Sequence, residues 1–190
     1  MSMSIAPLKE LHKNIIWPAV AGNVAWSFLT VMMSARVDGD HYVARMAVLG
    51  LMTIYLFHSW RHLAVNRDDG IYYVLDTLYA ISIAMFSVAM SSLHTALSGF
   101  AIFAIVAMFT ILAVGHAFGR WYDVHRFRCR MILSGLNLAA LVFVLYQRYA
   151  LETVLIWSMV GSLAVILLAW FVVFKWCPPS AGNVVPPERT

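Results

Sequence analysis

The chain has 190 residues, 62% of them hydrophobic and only 12% charged, with a formal net charge of +4. Soluble domains carry about 45–50% apolar and about 25% charged residues. This chain therefore lacks the polar surface to cover a water-exposed globule, which excludes a water-soluble domain and leaves lipid as the solvent it requires. The length gives room for several helical spans but not for a separate folded domain of ordinary size.

The first segment, Met1 to Lys13, carries Lys9, Glu10, His12 and Lys13 ahead of an apolar run. No small-residue cleavage site follows a short core, so the first span reads as a retained signal anchor over residues 14–35. A span needs about 20 apolar residues at 1.5 Å each to cross about 30 Å of hydrocarbon. The second is expected at 43–62, with Arg45 or Arg61 snorkelling to the interface. From Thr77 to Gly119 there is no Lys, Arg, Asp or Glu. That length of helix, about 65 Å, covers two bilayer crossings, and Ser91, Ser92, His94 and Thr95 mark the hairpin between spans at 71–92 and 95–118. Two further spans follow at 131–149 and 152–175. Segments such as AIFAIVAMFTILAV are apolar on every face, which suits helices and not the alternating strands of a membrane barrel. The expected fold is an all-α polytopic bundle of about six transmembrane helices in one domain, residues 1–176. The four-proline tail at 177–190 reads as disordered.

Orientation follows from the positive-inside rule. With the N-terminus inside, Lys9, Lys13, Arg61, Arg67, Arg120, Arg126, Arg128, Arg130, Lys175 and Arg189 are cytoplasmic; Arg36, Arg45 and Arg148 are not. Ten of 13 basic residues on one side imply an even number of spans, with both termini in the cytoplasm, and a bacterial inner membrane is the expected location. Trp17, Trp60, Tyr72, Tyr73, Trp121, Tyr122 and Trp176 fall at the inner ends and read as an interfacial belt. Cys129 and Cys177 lie on the same side, where thiols stay reduced.

The segment Arg120–Arg130, RWYDVHRFRCR, reads as a loop or short interfacial helix. Its arginines (Arg120, Arg126, Arg128 and Arg130) form a basic surface suited to anionic headgroups or a cytosolic protein partner. A loop of this size is too small to read a nucleic-acid groove, and inside-loop topology accounts for its charge.

An ionisable residue within a span is costly and marks a functional candidate. His58, Asp76 and His116 lie in the second, third and fourth spans at a similar depth on the inner side, and His62 shares a helical face with His58. His58, Asp76 and His116 are candidates for a pore or sensing site, because histidine titrates near neutral pH. With His62 they could instead hold haem or a divalent metal; interfacial histidines needing no cofactor are the simpler expectation. Asp76 would then pair with Arg61 or cap a helix start. Ser134 and Gly135, and Gly161 with Ser162, are small residues that permit close helix approach.

Motifs for membrane catalysis are missing. No HExxH occurs, and Leu97-Ser98-Gly99 lacks the glycine that precedes a membrane serine nucleophile. His116 as its base would lie about 25 Å away along the same helix. The sequence thus points to a non-enzymatic membrane subunit, oligomeric and channel-type or coupled to a partner, in transport or sensing. A haem- or metal-binding redox subunit is the alternative.

Overall fold

The computed structural model describes residues 6–34, 39–63, 70–91, 97–117 and 127–176. Among the described residues there are helices and no strands. Helix α1 (Ala6–Leu11) runs through a π-helical stretch (His12–Ile16) into α2 (Trp17–Met33). Then come α3 (Gly39–Leu63), α4 (Gly70–Ser91), α5 (Leu97–Ala117), α6 (Phe127–Tyr146) and α7 (Glu152–Trp176). A 3₁₀ turn at Gln147–Tyr149 carries the chain from α6 towards α7.

Five helical stretches are long and apolar enough to cross a membrane: Pro7–Met33, Tyr73–Ser91, Gly99–Ala117, Cys129–Tyr149 and Thr153–Val173. The apolar part of α3, His41–Phe57, is shorter. The first of these stretches begins well before the expected residue 14. Its 27 residues make a rod of about 40 Å, against about 30 Å of hydrocarbon.

The principal helix contacts form a ring in the order α2, α4, α5, α6, α7, α3 and back to α2, with α3 also touching α4. The middle of the bundle is filled by large apolar side chains, among them Leu49, Met52, Phe86, Met108, Phe109 and Leu163, all fully buried. Apolar side chains also cover the outside: Trp26, Phe57, Phe103, Val142 and Leu168 are 61–70% exposed. A helix bundle apolar inside and out is what a hydrocarbon solvent selects, since helices satisfy their own backbone bonds and nothing polar need face the lipid.

Buried side-chain hydroxyls are mostly turned back onto their own helices. Ser82 donates to the Leu78 carbonyl and Ser87 to that of Ile83. Two hydroxyls donate to a carbonyl of another helix: that of Tyr55 to Leu163 at 3.1 Å, and that of Ser134 to Ala113 at 2.9 Å. Such bonds between spans contribute about 0.6 kcal/mol on average, so packing dominates.

Two expectations change here. A Cβ added at Gly135 or Gly161 would meet nothing within 4 Å, so these glycines face outwards and do not bring neighbouring helices of the bundle together. The small residues Ala101 and Ala104 are buried, at 2% and 0% exposure. Cys129 is disulfide-bonded, not the reduced thiol that a cytoplasmic position suggested. The expected disordered tail at 177–190 lies outside the described residues.

Truncating a buried aromatic should separate core from lipid-facing positions. Phe86→Ala, at 0% exposure, is expected to lower stability by about 3–5 kcal/mol. Phe103→Ala, on the outside, should leave the unfolding midpoint in detergent nearly unchanged.

Candidate functional site

The site is built on a backbone irregularity. Pro18 stands near the start of α2, within an otherwise continuous helix from Ala6 to Met33. In an unbroken α-helix its ring would strike the carbonyl four residues back, at Asn14, and its missing N–H would leave that carbonyl without a donor. The turn before it is widened instead. The backbone N–H of Trp17 donates to the carbonyl of His12, five residues back, closing a π turn. Residues five apart in a regular α-helix point about 140° away from each other. The widened turn brings the side chains of His12 and Trp17 together.

Those side chains meet Asp76 of α4. His12 Nε2 contacts Asp76 Oδ2 as a buried pair, and the Trp17 indole N–H lies 3.0 Å from the same carboxyl oxygen and 2.9 Å from His12 Nε2. On the other side of the ring, His12 Nδ1 is 3.3 Å from Thr77 Oγ1, whose hydroxyl donates to the Tyr73 carbonyl at 2.7 Å. Tyr73 sets its ring edge-on to His12 with centroids 5.8 Å apart, and Tyr79 packs at 6.4 Å from Trp17. His12 is 1% exposed, Trp17 2% and Asp76 4%. Lys13 beside them is exposed, and the Glu10 carboxylate accepts a bond from Asn14. The pair thus lies where the first helix passes from apolar surroundings to a charged turn.

A second buried histidine sits on α5. The indole N–H of Trp170 points at His116 Nε2 over 3.4 Å, with ring centroids 6.4 Å apart. His116 is 1% exposed. It ends α5, as Trp170 stands close to the end of α7, so this contact joins the ends of two spans.

Of the candidates named from sequence, Asp76 and His116 are both buried. Asp76 is paired with His12, which belongs in sequence to the charged segment before the expected first span. His58 and His62 lie on α3 with their side chains outside the described residues, as is that of Arg61, the partner expected for Asp76. Arg120 and Arg126 also lie outside the described residues, and so does the side chain of Arg128. Arg130, assigned to a basic surface, is instead 9% exposed within the first turn of α6. Trp17 and Tyr73 were expected in an interfacial belt; both are buried, because the indole N–H finds a carboxylate and the phenol ring packs on the imidazole. A proline five residues into an apolar run, preceded by Trp17 and His12, was the available signal.

Among the described residues, no group of three or more His, Cys, Asp or Glu comes together in a way that could hold a metal ion. Chemically, the His12–Asp76 pair can hold or exchange a proton. Fold and site together define a helical protein with membrane-spanning character and a buried ionisable pair near one end of its bundle. The chain matches no known protein family, no curated protein and no solved structure.

Because breaking a buried ion pair strands a charge, His12→Ala should cost about 3–5 kcal/mol. The double variant His12→Ala with Asp76→Ala should lose less than the two single losses added. A double-mutant cycle on detergent unfolding measures this coupling, expected at about 0.5–3 kcal/mol; strict additivity would mean that the two groups do not interact.

Proposed function

We propose that this chain is a non-enzymatic, six-span protein of a bacterial inner membrane, with both termini in the cytoplasm. It works as a channel-type or partner-coupled subunit in transport or sensing, in an assembly with copies of itself. The sixth span is α3, and the ten-to-three division of Lys and Arg gives the direction.

The observation that carries the reading is the apolar interior. Between the buried pair at one end and the far ends of the helices, the centre of the bundle is closed by Leu49, Met52, Phe86, Met108 and Leu163. Among the described residues there is no path there for a hydrophilic solute or ion, so a pathway would run between chains, and signalling would pass to another subunit. Gly135 and Ala139 fit a contact between copies. Both are exposed, they stand four residues apart on α6, and a Cβ at Gly135 meets nothing in this chain. Small residues at this spacing let two membrane helices approach closely.

Gly135→Leu should therefore leave the folded chain intact and convert an oligomer into a monomer, read by native mass spectrometry from nanodiscs. A wild-type protein that is monomeric, captures no partner and is silent in planar bilayers would overturn the proposal. So would a Soret band or stoichiometric metal in the purified protein, which would favour a haem- or metal-binding redox subunit. Reporter fusions at residues 64–69 and after Trp176 test the direction, and both are expected in the cytoplasm.

A further inference from the structure

The hydrogen bonds around His12 determine how many protons the site holds. Thr77 has one hydroxyl hydrogen, and the Tyr73 carbonyl, which can only accept, takes it at 2.7 Å. Towards His12 the Thr77 oxygen is therefore an acceptor, so Nδ1 of His12 must carry a hydrogen. That leaves Nε2 against Asp76 Oδ2. Were Nε2 bare and Asp76 ionised, two lone pairs would face each other, and the single N–H of Trp17 could not serve both. A proton between Nε2 and Oδ2 resolves this. With it on the nitrogen the pair is imidazolium and carboxylate; with it on the oxygen the pair is imidazole and carboxylic acid. Either way the net charge is zero, the least costly state for a buried site in apolar surroundings.

We propose that His12 and Asp76 form a one-proton binding site, and that the bound proton clamps the helical segment before Pro18 against α4. The π stretch is the hinge. Pro18 offers no N–H to the turn before it, and π turns and prolines are where helices bend. Removing the proton sets a carboxylate against an imidazole lone pair, and the segment Ala6–Ile16 swings off α4. Among the described residues, the other groups near the ring are these. From α4 they are Tyr73 and Thr77. On its own helix, Lys9 and Glu10 precede the ring and Lys13 follows it, with Glu10 engaged by Asn14. The α3 side chains from His58 onwards lie outside the described residues. His116, on α5, stands against Trp170. The inference holds whether the subunit is channel-type, partner-coupled or neither.

The test uses the full chain in nanodiscs, labelled with ¹⁵N-histidine, with the His12 signals identified by their loss in His12→Gln. Nδ1 of His12 should couple to a bonded hydrogen, and the hydrogen shared between Nε2 and Asp76 should resonate far downfield. Amide exchange of residues 6–16, corrected for the intrinsic effect of pH, should accelerate several-fold as pH rises in the wild type. In Asp76→Asn it should show no such dependence. A wild-type His12 with Nδ1 bare, or with no downfield hydrogen, overturns the one-proton site without reference to any variant. Equal pH dependence in wild type and Asp76→Asn overturns the clamp.

Discussion

A polar group in hydrocarbon has no water to fall back on, and this one constraint shapes the molecule. Each buried donor or acceptor must find its partner inside the chain or forfeit several kcal/mol. Ser82 and Ser87 meet the requirement locally, on carbonyls of their own helix, and specify nothing about the neighbours. Tyr55 and Ser134 meet it across a helix boundary and so fix which carbonyl faces which side chain. Asp76 cannot meet it locally at all. Its carboxylate is paired by His12 and Trp17, both from the first helix, so the register of that helix on α4 is tied to this one group.

The same constraint makes the π stretch intelligible. A regular helix from Ala6 to Met33 would place His12 and Trp17 about 140° apart and drive Pro18 into the carbonyl of Asn14. Widening one turn relieves the proline and swings the two polar rings onto a common face. The backbone irregularity and the polar cluster therefore stabilise each other, which is why π turns so often coincide with functional positions. Here the coincidence has a cause that can be traced to residues 12, 17 and 18.

Much of the architecture was legible because it depends on composition and length alone. The charge-free run from Thr77 to Gly119 implied two helices and a hairpin, and helices α4 and α5 end and begin at Ser91 and Leu97, on either side of it. Asp76 and His116 were legible as candidates because an ionisable residue among apolar ones is conspicuous. What could not be read was pairing. His12 looked solvated because Glu10 and Lys13 flank it, and only the lateral position of α2 beside α4 turns it inwards. The outward direction of Gly135 was hidden for the same reason. Periodicity places it on a face of α6, but which face meets α5 and α7 is set by tertiary packing. The reach of α1 escaped detection because a charged, proline-bearing start resembles a tail until its histidine finds a carboxylate.

The two buried histidines make the point in chemical terms. His116 is met over 3.4 Å by the indole N–H of Trp170, a donor only, so Nε2 is used there as an acceptor. His12 is met by an indole as well, but that indole is shared with a carboxylate, and Thr77 takes the hydrogen of Nδ1 on the far side. An imidazole nitrogen that accepts from tryptophan needs no added proton. One pressed against a carboxylate does. The same side chain, at the same burial, is thereby an anchor between α5 and α7 in one place and a proton-binding group between the first helix and α4 in the other. Asp76 alone makes the difference.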